Sequence, residues 1–253
     1  METSIITVAG KGGVGKTSVS AAIVKLLIEE KPGARILAID ADPAVGLATA
    51  LGVEPSLTVD DIRKKLVDAK ERDRAAMKAD EIRGEARFEL MDAVTEADGF
   101  AFIAVGRPEA AGCYCAVNCF LKEIISALSD GFDYVVIDGE AGIEQINRRV
   151  MEKVTHLLLI SDASKKGIRV IETIKEVADE LVMYKKLGAI INRVNDDSVK
   201  AYIDTGGIPV LAYIKDDTEL AAADLMGSSV LAISDSSNLV NGVREALYGI
   251  GIL

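Results

Sequence analysis

The sequence predicts an α/β fold, a mostly parallel sheet with helices on both faces, as a single domain over residues 1–253. Three observations carry this. Short, near-continuously apolar runs alternate with longer amphipathic segments along most of the chain, as strands covered on both faces do. Apolar residues make up 49% of the sequence but aromatics only 4%, so a large core must be packed from Val, Ile, Leu and Ala. The first apolar run leads straight into a glycine-rich segment and then a helical pattern, the order of a parallel strand–loop–helix unit.

In chain order, strands are expected at Ile5–Ala9, Ile36–Asp40, Phe102–Val105, Tyr134–Asp138, Leu157–Ile160, Ala189–Asn192 and Pro209–Ile214. Helices are clearest at Thr17–Glu30, Cys119–Ser129, Lys165–Tyr184 and Ser236–Tyr248. Thr58–Asp92 breaks the rhythm with a dense run of charge, and Thr58 followed by Asp61 has the spacing of a capping box opening a helix. It reads either as a solvated helical insertion or as a partner-docking or switch-coupled arm.

The formal charge of −11, from 29 basic against 40 acidic residues, opposes binding to nucleic acid or anionic lipid, and no Lys/Arg run offers a local exception. The opening METSIITVAG reads as a first strand and not a signal peptide, and runs such as Leu157–Ile160 are too short to span a membrane. A cytoplasmic protein is expected. In that reducing setting three cysteines are poor material for a disulfide framework.

Residues Gly10-Lys11-Gly12-Gly13-Val14-Gly15-Lys16-Thr17 follow the first strand and satisfy G-x-x-x-x-G-K-[ST] in its required context, the signature of a P-loop NTPase. Glycines let the backbone wrap with its N–H groups inward, and the following helix adds its positive end. Lys16 is expected to reach the β/γ-phosphates and the Thr17 hydroxyl to ligate Mg²⁺, with Ser18 completing the ATP-binding set. Lys11 makes the loop G-K-G-G-V-G-K-T, which resembles the deviant Walker A motif of the MinD/ArsA/NifH-type ATPases. The resemblance implies an ATP-dependent homodimer in which Lys11 contacts the partner's nucleotide, a catalytic cation supplied in trans.

Asp40-Ala41-Asp42-Pro43 resembles the family's first switch, D-x-D-P, which implies Asp40 near the Mg²⁺ shell and Asp42 positioning the attacking water. Asp138 closes an apolar strand as a Walker B aspartate does, and the following D-x-x-A-G resembles the second switch. Ile191-Asn192-Arg193-Val194-Asn195 sits where related proteins carry the base-reading N-K-x-D. Asn192 can bond an adenine edge, and the position of the guanine-reading aspartate holds Asn195, so ATP is expected over GTP.

Cys113-Tyr114-Cys115 lies in a loop after the third strand. One C-x-C leaves an ion half-coordinated, but two copies meeting at a dimer axis offer four thiolates, which suit Ni²⁺, Zn²⁺ or an iron–sulfur cluster. Cys119 has the spacing of a helix core position, with a third metal ligand as the alternative, and His156 opens an apolar strand as a hydrogen-bonding residue rather than a ligand. The segment G-C-Y-C-x-x-N, with G-K-G-G-V-G-K-T, D-x-D-P and D-x-x-A-G-I-E, resembles the CooC family and its AcsF relatives, over Ile5 to about Tyr248. That resemblance implies a maturation ATPase that assists nickel insertion into a carbon monoxide dehydrogenase or acetyl-CoA synthase type client, with metal held by Cys113 and Cys115 across the dimer.

Two other classes compete. An iron–sulfur reductase like the nitrogenase iron protein takes one cysteine pair from just after the second switch, where Gly142 to Val150 here holds none. A MinD/ParA-like positioning ATPase uses a basic amphipathic tail or basic patches, whereas Asn238–Leu253 carries only Arg244 as a basic residue.

Overall fold

The computed structural model describes residues 2–42, 45–62, 64–65, 92–106, 131–139, 154–181 and 184–253. Among these, eight strands form one sheet: β1 (Ser4–Gly10), β2 (Ile36–Asp40), β3 (Thr95–Ala97), β4 (Phe100–Ala104), β5 (Tyr134–Asp138), β6 (His156–Asp162), β7 (Lys186–Asn192) and β8 (Val210–Ile214). Their order is β3-β4-β2-β5-β1-β6-β7-β8, parallel throughout except for β3, which pairs antiparallel with β4. The expected parallel α/β sheet is therefore present. The expected helix at 119–129, the cysteines at 113, 115 and 119, and most of the 58–92 insertion fall outside the described residues.

Each central strand splits its side chains between two cores, as the two-residue period requires. Ile6, Val8, Ala38, Val136, Leu158 and Ile160 face one layer. That layer holds α1 (Lys16–Glu30), α2 (Gly46–Leu51), α4 (Thr218–Met226) and α5 (Asn238–Ile250). Ile5, Ala9, Leu37, Ile39, Val135, Ile137, Leu157 and Leu159 face the other layer, where Ile168, Ile171, Ile174 and Ala178 of α3 (Lys165–Leu181) pack. Helix α1 is buried without a break from Val19 to Leu27 because the sheet lies on one side and α5 and α2 on the others. This explains why its sequence reads as apolar nearly all round.

Helices α4 and α5 start on side-chain caps: Asp217 accepts from Glu219 N–H and Leu220 N–H, and Ser237 accepts from Val240 N–H. The capping box at Thr58 forms as the spacing predicts. Its hydroxyl accepts Asp61 N–H (3.2 Å), and Asp61 Oδ2 accepts both the Thr58 hydroxyl (2.7 Å) and its N–H (3.0 Å). The turn is tied to the sheet, because Asp60 N–H donates to Val105 O (3.0 Å) and Val105 N–H donates to Asp40 O (2.8 Å).

The short helices α2 and α4 and the edge strand β3 were not among the expected elements. Asp98-Gly99, the dipeptide that closes the β3–β4 hairpin, was the available signal for β3. Among the described residues no helix is long and apolar enough to cross a membrane.

His156 opens β6, is 8% exposed, and its Nδ1 lies 2.8 Å from the Thr155 hydroxyl. Burial, and then the nearby Lys186 and Lys185 ammonium groups, push its pKa down to about 4. The folded protein therefore binds fewer protons than the unfolded chain between about pH 4 and 6.5, and this group's contribution to stability is lost as pH falls through that window. Against a His156→Gln variant, the wild type is expected to lose about 1–2 kcal/mol between pH 7 and pH 5, read by urea unfolding at each pH. Parallel curves for the two proteins would refute it.

Candidate functional site

The parallel register gathers the functional candidates at one edge of the sheet. Asp40, Asp138, Asp162 and Asn192 each close a strand (β2, β5, β6 and β7) at its carboxyl end, and the glycine-rich loop leaves β1 at the same edge. Ligands bind at this edge in open α/β sheets.

The loop is held from beneath by two contacts. At Gly10, paired with Ile160, a Cβ would lie 2.1 Å from the Ile160 carbonyl oxygen, so only glycine lets the chain turn there. At Gly15 the backbone is left-handed (φ 95°), and a Cβ would lie 2.6 Å from Asn192 Nδ2. Asn192, 7% exposed, donates from Nδ2 to Val14 O (2.9 Å) and accepts Arg193 N–H at Oδ1 (2.9 Å). Its side chain thus fastens the loop to β7, a task its expected role at the base did not include. Gly12 and Gly13 at the loop's tip are open to solvent, and Thr17 and Ser18 are half-buried on the first turn of α1.

Helix α1 begins without a side-chain cap, and its first turn holds no acidic residue. Its leading N–H groups face the loop, a ready site for an anion. Lys16 is 7% exposed and its Nζ donates to Lys11 O (3.5 Å). Lys11 extends the other way, its Nζ 3.4 Å from Asp162 Oδ2.

Asp40 and Asp138 lie side by side, directly paired in the β2–β5 register, and are 0% and 1% exposed. Asp40 Oδ1 accepts Asp42 N–H (3.1 Å) and Oδ2 accepts Leu47 N–H (2.8 Å). Burial, then the charge of Asp138, push the Asp40 pKa up to about 7 despite these bonds. Asp138 Oδ1 accepts the Ser20 hydroxyl (3.0 Å), while Oδ2 is buried with no hydrogen-bond partner among the described residues. Burial raises the Asp138 pKa too, against the Thr17 and Ser20 hydroxyls and the Lys16 ammonium. Two adjacent buried carboxyl groups, one with an unpartnered oxygen, fit a divalent cation beside the phosphate loop. Asp42 follows at the mouth of this site, half-buried, its carbonyl accepting Val45 N–H (3.0 Å).

Asn195 is engaged with a residue that the sequence pattern did not single out. Its Nδ2 donates to Asp216 Oδ2 (2.6 Å) and its Oδ1 accepts Asp216 N–H (2.9 Å). A carboxylate therefore stands beside the position where the sequence has none, brought there from the loop after β8. Asp216 thus overturns the expected ground for adenine over guanine, a missing carboxylate at residue 195. Asp162 was also missed, although it closes an apolar strand as Asp138 does. Ser20 carries no motif and shows itself only through its bond to Asp138. Among the described residues no three or more His, Cys, Asp or Glu gather as a metal-binding group.

A glycine-cradled anion site with a buried lysine and a pair of strand-end aspartates defines a P-loop nucleotide-binding protein. Residues 5–230 match the CobQ/CobB/MinD/ParA nucleotide binding domain, and the chain belongs to that family. It is 36% identical over 248 residues to an uncharacterized ATP-binding protein of Methanocaldococcus jannaschii, covering 95% of this chain and 96% of that one. It is 29% identical over 254 residues to the carbon monoxide dehydrogenase accessory protein CooC of Rhodospirillum rubrum, covering 90% of each. The septum site-determining protein MinD of Pyrococcus horikoshii, solved with Mg-ADP, superposes with a TM-score of 0.73 at 21% identity, over 98% of this chain and 96% of that one. The protein is an ATPase of the MinD/ParA/CooC class.

Removing one of the two crowded carboxylates should separate stability from function. Asp138→Asn is expected to raise the melting temperature of the nucleotide-free protein at pH 8 by about 2–4 °C. It should also cut Mg²⁺-dependent ATP hydrolysis about 100-fold or more. Calorimetric melting and phosphate release check the two halves; a lower melting temperature together with retained turnover would refute the assignment.

Proposed function

We propose that the protein is an ATP-dependent homodimer that carries a soft metal ion, Ni²⁺ or Zn²⁺, and releases it to a client metalloenzyme of the carbon monoxide dehydrogenase or acetyl-CoA synthase type. The observation that carries this reading is the combination in one chain of a two-lysine phosphate loop with the Cys113/Cys115 pair. The likeness to CooC supports it. So does the bond from Val105 N–H to Asp40 O, which ties the nucleotide edge to the end of β4, the strand that precedes those cysteines in the sequence.

In this reading Gly10 to Ser18 wrap the ATP phosphates, and Lys16 neutralises the β/γ-phosphates. Lys11 reaches the nucleotide of the second protomer, and Asp42 holds the attacking water in line. Thr17, Asp40 and Asp138 would hold Mg²⁺, directly or through water, and it would supply charge neutralisation on the phosphates. Asn192, besides fastening the loop, has a second amide hydrogen for the adenine edge. Closure of the dimer brings two C-x-C pairs together as four thiolates, and hydrolysis separates them. The protein acts in the cytoplasm, with neither nucleic acid nor membrane as partner.

A second reading, a positioning ATPase like MinD or ParA, draws on the family itself. The apolar face of α5, Leu239, Val240, Val243, Ala246, Leu247 and Ile250, is packed in the core and cannot serve a lipid surface. An iron–sulfur reductase is the third reading.

Cys113→Ala or Cys115→Ala should abolish stoichiometric Ni²⁺ or Zn²⁺ binding in the presence of ATP and spare nucleotide binding. Lys11→Ala should bind nucleotide and remain monomeric on a sizing column. Metal retained by both cysteine variants would sink the carrier reading. Pelleting with liposomes or plasmid would favour the positioning ATPase, and a brown sample after incubation with iron and sulfide would favour the reductase.

A further inference from the structure

We propose that Asp162 is a built-in restraint on dimerisation: in the nucleotide-free protomer it holds in cis the Lys11 ammonium that the ATP-bound dimer needs in trans. The inference rests on the reading that Lys11 serves a second protomer, and it adds what keeps that lysine at home beforehand.

The contact follows from the topology. β1 and β6 are neighbours with Gly10 paired to Ile160, so Lys11, just past the end of β1, and Asp162, the last residue of β6, emerge at the same point of the sheet edge. Lys11 Nζ lies 3.4 Å from Asp162 Oδ2. The carboxylate is fixed by its other oxygen, since Oδ1 accepts the Ser164 N–H (3.1 Å) and the Ser164 hydroxyl. Ser164 Oγ in turn accepts Gly167 N–H (3.0 Å) in the first turn of α3. Oδ2 is thereby left aimed at the phosphate loop. Burial works against the charge of Asp162, yet the Ser164 and Lys11 bonds hold its pKa below the usual carboxylate value, so this carboxylate is ionised at neutral pH.

Nucleotide binding acts on the same residue. Lys16 Nζ donates to the Lys11 carbonyl, and an arriving phosphate draws Lys16 away from it. Both side chains of the ion pair are about a third exposed, 31% and 28%, which limits its strength. Pairs this exposed shift an equilibrium by about 1.5- to 5-fold. A dimer gives up two of them, so the restraint sets a threshold of about 2- to 25-fold in the dimerisation constant and does not forbid association.

The test uses Asp162→Asn, which keeps an oxygen for Ser164 and removes the charge facing Lys11. In the nucleotide-free protein, acetic anhydride should modify Lys11 about 2- to 5-fold faster in the variant, measured by peptide mass spectrometry. With Mg²⁺ and a non-hydrolysable ATP analogue, sedimentation equilibrium should show a dimer about 2- to 25-fold tighter than wild type. An unchanged Lys11 labelling rate, or a dimer that is no tighter, overturns the restraint while leaving the dimeric reading intact. A wild type that forms no nucleotide-dependent dimer overturns both.

Discussion

Parallel pairing of β2 with β5 sets Asp40 against Asp138, and the rest of the site depends on that juxtaposition. Two carboxyl groups, each almost wholly withdrawn from water, cannot both ionise at low cost without a cation between or beside them. The nucleotide-free protein relieves the conflict by raising the pKa of Asp40 to about 7 and supplying it with backbone N–H donors from Asp42 and from Leu47 at the start of α2. The arrangement is poor for stability and suited to function, because it stores a demand for positive charge beside the place where nucleotide phosphates are to be bound.

The same edge shows how a mobile ligand is met by a rigid loop. Gly10 lies against Ile160, Asn192 is fastened to Val14, and α1 is buried along most of its length, so the loop is fixed before any nucleotide arrives. What can change are the lysines. Lys16 Nζ donates to the Lys11 carbonyl and Lys11 Nζ to the partly exposed Asp162 carboxylate, contacts of a kind that a phosphate can replace. Asp40 is linked outward through Val105, which joins the Asp40 carbonyl to Asp60 at the root of the charged insertion.

The architecture and the phosphate loop were legible because each depends on local pattern: apolar runs of strand length, glycines where the backbone must turn, an aspartate closing a strand. What was not legible depends on register between distant segments. Nothing near Asn195 announces that Asp216 will reach it from the loop after β8, and Asn192 becomes a fastening for Val14 only because β7 ends beside the loop. Asp162 closes its strand as Asp138 does, but its worth lies in standing opposite Lys11, which no spacing along the chain reveals. The hairpin strand β3 was missed despite its Asp98-Gly99 turn because three residues are too few for a period to show.

The buried pair can be tested through its proton. Mg²⁺ added to the ADP-saturated protein, followed by calorimetry in buffers of different ionisation enthalpy, counts the protons released per site. With Asp40 titrating near 7, the wild type is expected to release about 0.8 proton more than an Asp40→Asn variant at pH 6.5, the variant accounting for the terminal phosphate of ADP, and almost none more at pH 8.5. An equal count in the two proteins at both pH values would mean that Asp40 is already ionised in the nucleotide-free protein, and the account of the site as a stored demand for a cation would fail.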